Sequence, residues 1–212
     1  MRQLFVERQV LLNGVTINHG RDLISEFCRV EVEGKILQAR TPIYVMLHKP
    51  KACVSATVDI KNPTVLDYIN LPEKHDLHLA GRLDFNTTGL LLLTNDGRWS
   101  RKITQPQQKI PKRYWVQTNS EITEDYVKKF SEGIYFRFEN LTTQPALLEI
   151  LSPTTAYLTI YEGRYHQIKR MFGFFDNEVL NLHRLSMGAI GLDDTLLPGE
   201  SRLLTEAEVA SI

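Results

Sequence analysis

"HLAGRLDFNTTGLLLLTNDG" (residues 78–97) sets one acid, Asp84, between an Arg-Leu pair and a Phe-Asn-Thr-Thr-Gly stretch, just ahead of four leucines. The flanking apolar runs, "LHLAG" (77–81) and "LLLLTN" (90–95), read as strands, and Asn95-Asp96-Gly97 as a turn. A lone carboxylate at the end of a strand has several uses. It can bond the backbone N–H groups of its own turn. It can be one of a glycosidase pair, which needs a second acid at a set separation. An aspartic-protease loop would put a small hydroxyl residue and Gly directly after the acid, but Phe85 and Asn86 intervene here. A kinase would need a glycine-rich phosphate loop, and the sequence has none. What remains is an acid that works alone on a nucleotide. It would need a cation to keep it ionised, a flat wall for the base, and a side chain to replace an extruded base in its stack. Arg82 alternates with Leu83 and is expected to share a face with Asp84, so its planar guanidinium suits that last task.

Outward from this stretch, the chain reads as many short strands and few helices. "IYVMLHK" (43–49), "RYWVQT" (113–118) and "EVLNLHRLSMG" (178–188) are strands. "ALLEILS" (146–152) and "TAYLTIYEG" (155–163) form a pair across Ser152-Pro153-Thr154. "PTVLDYINL" (63–71) fits a short helix capped by Thr64. "TEDYVKKFSEG" (123–133) fits an amphipathic helix that starts at Thr123 and stops at Gly133. "RYHQIKRMFGFF" (164–175) reads as a helix, and "TEAEVASI" (205–212) opens with a Thr205–Glu208 capping box. The expected class is α+β with a mainly antiparallel sheet. The first residues form a small module. Leu4, Phe5, Val6 and Leu11 lie at helical spacing, "VTINHG" (15–20) is a short strand, and "CRVEVEGKIL" (28–37) alternates and then turns at Gly34. "QARTP" (38–42) is a linker.

The 212 residues carry 25 basic and 25 acidic side chains, so the chain is not a uniformly basic nucleic-acid binder. The charge is uneven, however. Residues 97–120 contain no acid, while Arg98, Arg101, Lys102, Lys109, Lys112 and Arg113 stand among Trp99, Tyr114 and Trp115. Residues 163–175 contain none either, with Arg164, His166, Lys169 and Arg170 among Tyr165, Phe172 and Phe174. Cations follow phosphates and aromatic faces stack on unpaired bases, so both patches suit single-stranded or looped RNA. Cys28 and Cys53 have neither metal-ligand spacing nor a disulfide framework, and His48, His78 and His183 read as structural. No metal or cofactor is expected. No apolar run approaches the ~20 residues of a membrane span, and "MRQLFVERQV" (1–10) is too charged for a signal peptide. A cytoplasmic monomer is expected.

Four stretches in order resemble a known family. "AGRLDFNTTGLLLLTNDG" (80–97) closely resembles the signature loop of the pseudouridine synthases that act on ribosomal RNA. "LHKPKACVSAT" (47–57), "KRYWVQT" (112–118) and "EGRYHQIKRMF" (162–172) are similar to the family's other motifs, and residues 182–208 to its C-terminal stretch. The form of "EGRYHQIKRMF" and of "LPGESRLLT" (197–205) is most like the small-subunit (16S) enzymes. The resemblance implies a catalytic domain at 43–212 that isomerises a uridine in small-subunit ribosomal RNA, free or in an assembling subunit. The C1′–N1 bond breaks, the uracil turns, and C1′ joins C5. It implies Asp84 as the catalytic acid, Tyr114 packed on the base, Lys169 as the cation paired with Asp84, and Arg82 in the vacated base position. Arg170 is the near alternative to Lys169. Arg98, Arg101, Lys102, Lys112, Arg113, Arg164, His166 and Arg170 are the candidate RNA contacts. Residues 1–38 resemble a shortened S4-like RNA-binding module without its usual first helix. A catalytically silent RNA-binding protein on the same scaffold is the rival reading.

Overall fold

A computed structural model of the chain describes residues 9–212, which fall into two compact units, one running to Ile43 and the other spanning Tyr44–Ile212. The helical spacing read at Leu4, Phe5 and Val6 lies outside the described residues. Leu11, read with them, lies instead in a strand, β1 (Val10–Leu12), where Val10 is buried. The first unit adds β2 (Val15–Thr16), β3 (Val30–Val32) and β4 (Lys35–Gln38) in the order β2-β1-β3-β4. Gln38 ties its last strand to the preceding loop by donating to the carbonyls of Ser25 and Cys28.

The second unit is built on a nine-stranded sheet. In chain order it contains β5 (Tyr44–Lys49), β6 (His78–Leu79), β7 (Thr88–Thr94) and β8 (Lys112–Thr118), then a separate hairpin, β9 (Tyr135–Phe136) and β10 (Leu141–Thr142). It continues with β11 (Leu147–Ser152), β12 (Thr155–Ile160), β13 (Val179–Met187), β14 (Ile190–Gly191) and β15 (Ser201–Leu203). The main path is β11-β12-β8-β13-β7-β5-β15, with β14 on β13 and β6 on β7. All pairings are antiparallel except β7 with β13. Four helices accompany the sheet: α1 (Gly97–Thr104), α2 (Glu124–Glu132), α3 (Gln167–Gly173) and α4 (Glu206–Ala210).

The four-leucine run explains why β7 is central. Leu90, Leu91, Leu92 and Leu93 are all fully buried, as expected of a strand covered on both faces. Leu90 and Leu92 join Met46, Trp99, Ile103 and Met187 in one core, against which Val209 and Ile212 also pack. The stretch read as an Asn95-Asp96-Gly97 turn opens α1, because the Asp96 carboxylate caps the N–H groups of Arg98 and Trp99 at 2.8 and 3.1 Å. Trp99 thereby belongs to the core, with its indole N–H donated to the Val209 carbonyl. The short helix at 63–71 is a single 3-10 turn, Val65–Tyr68, with its cap reversed. Asp67 accepts from the Thr64 N–H at 2.7 Å and hydroxyl at 3.2 Å. Thr123 precedes α2 without a side-chain cap bond, whereas Gly133 closes that helix at φ 86°. The Thr205–Glu208 capping box is formed. His48 and His78 bond the Leu196 carbonyl and the Ser100 hydroxyl, and His183 bonds the Thr88 hydroxyl. No helix among the described residues is long and apolar enough to cross a membrane.

Candidate active site

The loop between β6 and β7 carries Asp84, and it is fixed from both sides. Upstream, the Ser55 hydroxyl donates to the Leu83 carbonyl at 2.6 Å and accepts from the Leu83 N–H at 3.1 Å, while the Leu83 side chain is buried. Downstream, the fully buried Lys49 at the end of β5 donates to the carbonyls of Pro50, Phe85 and Thr87 at 3.0–3.2 Å. Burial pulls the Lys49 ammonium below its ordinary pKa, against the raising effects of Cys53 and Asp84. Three carbonyls and a nearby carboxylate keep this cation tolerable in the interior.

Held in this way, the Asp84 carboxylate meets a lysine and a histidine from the far part of the chain. Lys169 Nζ lies 3.6 Å from Oδ2 and His166 Nε2 3.5 Å from Oδ1. These are ion-pair distances rather than hydrogen bonds, and no backbone N–H of the turn donates to the carboxylate. Residues 166 and 169 are three apart around a helix start, so both face the same way. Arg170 is one step further round and points elsewhere. It grips Glu139 with two bonds of 2.6 and 2.7 Å and lies 3.6 Å over the Phe136 ring. Helix α3 is anchored by Met171 and Phe172, both fully buried, with Phe172 edge-on to Phe130 at 5.1 Å. His166 enters it in the left-handed region (φ 49°) with its ring stacked on Tyr165 at 3.9 Å.

Asp84 opens onto a cavity of about 480 Å³. One wall is the Asp84 loop with Arg82, the opposite wall is the start of α3 with Arg164, Tyr165 and His166, and the floor is one face of the sheet. Along β8, Lys112, Tyr114, Val116 and Thr118 are buried in strict alternation, and of these Lys112 and Tyr114 line the cavity. Arg184 of β13 stands opposite Tyr114 in the ladder, lines the same floor, and is 2% exposed. Asp84 is the one acid among the lining residues. A two-carboxylate glycosidase arrangement is therefore absent here.

The structure thus brings together Asp84, Tyr114, Lys169, Arg82, Arg164, His166 and Lys112 around one cavity. Lys112 sits there as a buried group, its ammonium donated to the Ile110 carbonyl at 2.9 Å. Arg98, Arg101 and Lys102 lie exposed on α1 and do not line the cavity; Lys102 bonds the Ile212 carbonyl. Arg113 points to the other face of β8, over Tyr157 at 4.2 Å and within 3.3 Å of Glu149. Arg170 faces an adjoining depression beside Phe136 and Phe174. Two buried cations at or beside the site, Lys49 and Arg184, are not among the residues singled out from the sequence. For Arg184 a signal exists: in "LHRLSMG" it occupies the same strand face as the apolar Leu182. Among the described residues no group of three or more His, Cys, Asp or Glu side chains is placed to hold a metal ion.

Comparison with other proteins places the chain among RNA-modifying enzymes. Residues 43–173 match the family described as RNA pseudouridylate synthase. The chain is 52% identical over 202 residues to the ribosomal small subunit pseudouridine synthase A of Pseudomonas aeruginosa, covering 95% of this chain and 88% of that protein. It is 45% identical to the protein of the same name from Vibrio cholerae, covering 99% and 91%. A crystal structure of a pseudouridylate synthase superposes with a TM-score of 0.78 at 40% identity, covering 99% of this chain and 91% of the other. An archaeal box H/ACA ribonucleoprotein complex, 19% identical with a TM-score of 0.52 over 74% of this chain and 51% of that one, shares the fold.

Proposed function

The chain belongs to the RNA pseudouridylate synthase family, and from that premise we propose that it converts a specific uridine of small-subunit ribosomal RNA to pseudouridine through Asp84. The observation that carries this reading is a single acid facing a cavity of about 480 Å³, with Lys169 at 3.6 Å and Tyr114 in the floor. The target uridine leaves its stack and enters the cavity, and Arg82 at the rim takes its place in the RNA. The uracil lies on Tyr114, a contact worth roughly 1–3 kcal/mol for a stacked base. Its sugar meets Asp84. Lys169 and His166, at 3.6 and 3.5 Å, aim the carboxylate at the sugar. Attack at C1′ and removal of a sugar proton both lead to rupture of the C1′–N1 bond, after which the uracil turns and C5 joins C1′.

The name carried by the Pseudomonas and Vibrio relatives supports the small subunit as the source of the substrate. Arg164 beside the cavity and Arg98, Arg101 and Lys102 on α1 offer positive charge to the RNA backbone. We assign residues 1–38 as an accessory S4-like RNA-binding module, joined through 39–42 to a catalytic domain at 43–212. The four-stranded sheet β1–β4 and the boundary at Ile43 support this division. Cys28 and Cys53 form no disulfide, which suits the cytoplasm.

The test is pseudouridine mapping in 16S ribosomal RNA from cells with the protein, without it, and with Asp84→Asn alone. One pseudouridine disappears in the second and third cases. Restoration of that site by Asp84→Asn would rule out Asp84 as the catalytic acid, and retention of every pseudouridine without the protein would leave a silent RNA-binding role as the better reading.

A further inference from the structure

Arg184 is placed at a cost that the fold alone does not explain. A guanidinium stays charged at any ordinary pH, and burying it without a carboxylate is unfavourable by several kcal/mol. Its Nε donates to the Leu90 carbonyl at 2.7 Å and its Nη1 to the Tyr114 hydroxyl at a long 3.5 Å. Its Nη2 is buried and has no hydrogen-bond partner. No acid among the described residues forms an ion pair with it. A second buried cation, Lys112, lines the same floor, with its pKa pushed down to about 8 by burial and, second, by the charge of Arg184. The counter-charge felt by Lys112 is Glu162, but that carboxylate already accepts from the Gln144 N–H, Arg164 and Gln167. The floor of the cavity is therefore positive and undercompensated, and it includes Tyr114, on which the base rests in the proposed reaction.

We propose that Arg184, assisted by Lys112, is a catalytic group that stabilises the negative charge developing on the uracil ring as its bond to the sugar breaks. The inference rests on the proposed isomerisation and adds the group that accepts the leaving charge. When C1′–N1 breaks heterolytically, the electron pair goes to N1 and spreads to O2 and O4. The electron demand at C1′ is met by Asp84, whose bond to C1′ breaks again as C5 attacks, or relieved by loss of the C2′ proton to Asp84, which returns it to C2′ as C5 joins C1′. After C5 has joined C1′, C5 gives up its proton and N1 gains one, so the product has the atoms of the substrate and needs no co-reactant. A preorganised cation in a dry floor helps this step most, because it needs no reorganisation as the charge appears. An RNA phosphate is the other anion that such a floor could attract, but in the proposed reaction it is the base that lies against this floor.

The test compares Arg184→Gln and Arg184→Lys with the native protein. Single-turnover rates of glycosidic-bond cleavage are measured on 16S RNA containing uridine or 5-fluorouridine at the target. Arg184→Gln should bind both RNAs within about twofold of native and lose about 100-fold in rate on uridine. The loss on 5-fluorouridine should be about tenfold smaller, since fluorine makes the ring a better anion, and Arg184→Lys should recover part of the rate. Equal losses on the two substrates, or a loss confined to binding and steepened by salt, would overturn the proposal in favour of a structural or phosphate-binding role. The native protein gives a second measurement that needs no variant to fold. 5-Nitrouracil, an anion at neutral pH, should inhibit at least about tenfold more strongly than uracil, and the preference should vanish once acid neutralises the ligand. Equal inhibition at neutral pH also overturns it. Failure of the underlying reading shows separately, as a native protein that forms no pseudouridine.

Discussion

Gly89 and Arg184 approach so closely across the parallel pairing of β7 and β13 that a Cβ on Gly89 would lie 2.3 Å from the Arg184 carbonyl oxygen and 2.6 Å from its nitrogen. Gly89 also sits at φ 101°, where side chains are strained. The glycine of the "TTG" signature therefore holds the floor cation of the cavity in register with the strand behind Asp84. Gly89→Ala should cost about 3–5 kcal/mol in urea unfolding or prevent accumulation of folded protein. A cost below about 1 kcal/mol would mean that the two strands part easily.

Lys169 and Arg170 adjoin in sequence and differ in partner, so their variants should separate. Lys169→Met should lower turnover by about 100-fold or more with little change in melting temperature, because it removes the cation facing Asp84. Arg170→Met should lower stability by about 1–2 kcal/mol, through loss of the Glu139 fork and the Phe136 contact, and turnover by less than about tenfold. Kinetics and thermal melts on the pair distinguish the roles, and the reverse ranking of turnover would exchange them.

Lys49→Met leaves the carbonyls of Pro50, Phe85 and Thr87 without their shared donor. The expected loss is about 2–4 kcal/mol, together with reduced turnover, since the same loop aims Asp84. Hydrogen exchange should rise first in residues 85–88.

The buried Lys112 gives stability a signed pH dependence. Its pKa is about 8 in the folded protein against an ordinary 10.5, so between those values the unfolded chain binds more protons and stability rises with pH. Below about pH 8 both states are protonated and the burial penalty is present in full. Lys112→Met should flatten the rise between pH 8 and 10.5 and stabilise the protein by about 1–3 kcal/mol at pH 7. An unchanged slope in unfolding titrations would place the titration elsewhere.

At the acid end, Arg202 holds Asp193 at 2.6 Å and Glu208 through two bonds of 2.8 Å, joining β15 to α4. Both carboxyls are held at about 2, Asp193 chiefly by Thr195 and then Arg202, Glu208 chiefly by Arg202. Their contribution is full above the ordinary carboxyl values and is lost as pH falls toward 2. Arg202→Met should reduce the difference in melting temperature between pH 5 and pH 2.5.

Most of the strands, the amphipathic helix α2, the four leucines as an apolar strand, and Asp84 as an acid without a local partner are legible in the order of residues alone. Those features are periodic or local, so the chain displays them in a few adjacent positions. Asn95-Asp96-Gly97 shows the limit, because residues that make a turn also cap a helix, and the packing of Trp99 and Ile103 into the core selects the helix. The folded chain was needed to show that Lys169 rather than Arg170 faces Asp84, that Lys112 is buried rather than a surface cation, that Lys49 ties the Asp84 loop and that Arg184 lines the cavity. The state and use of a charge depend on its burial and on partners from distant strands, and a one-dimensional pattern of residue types contains neither.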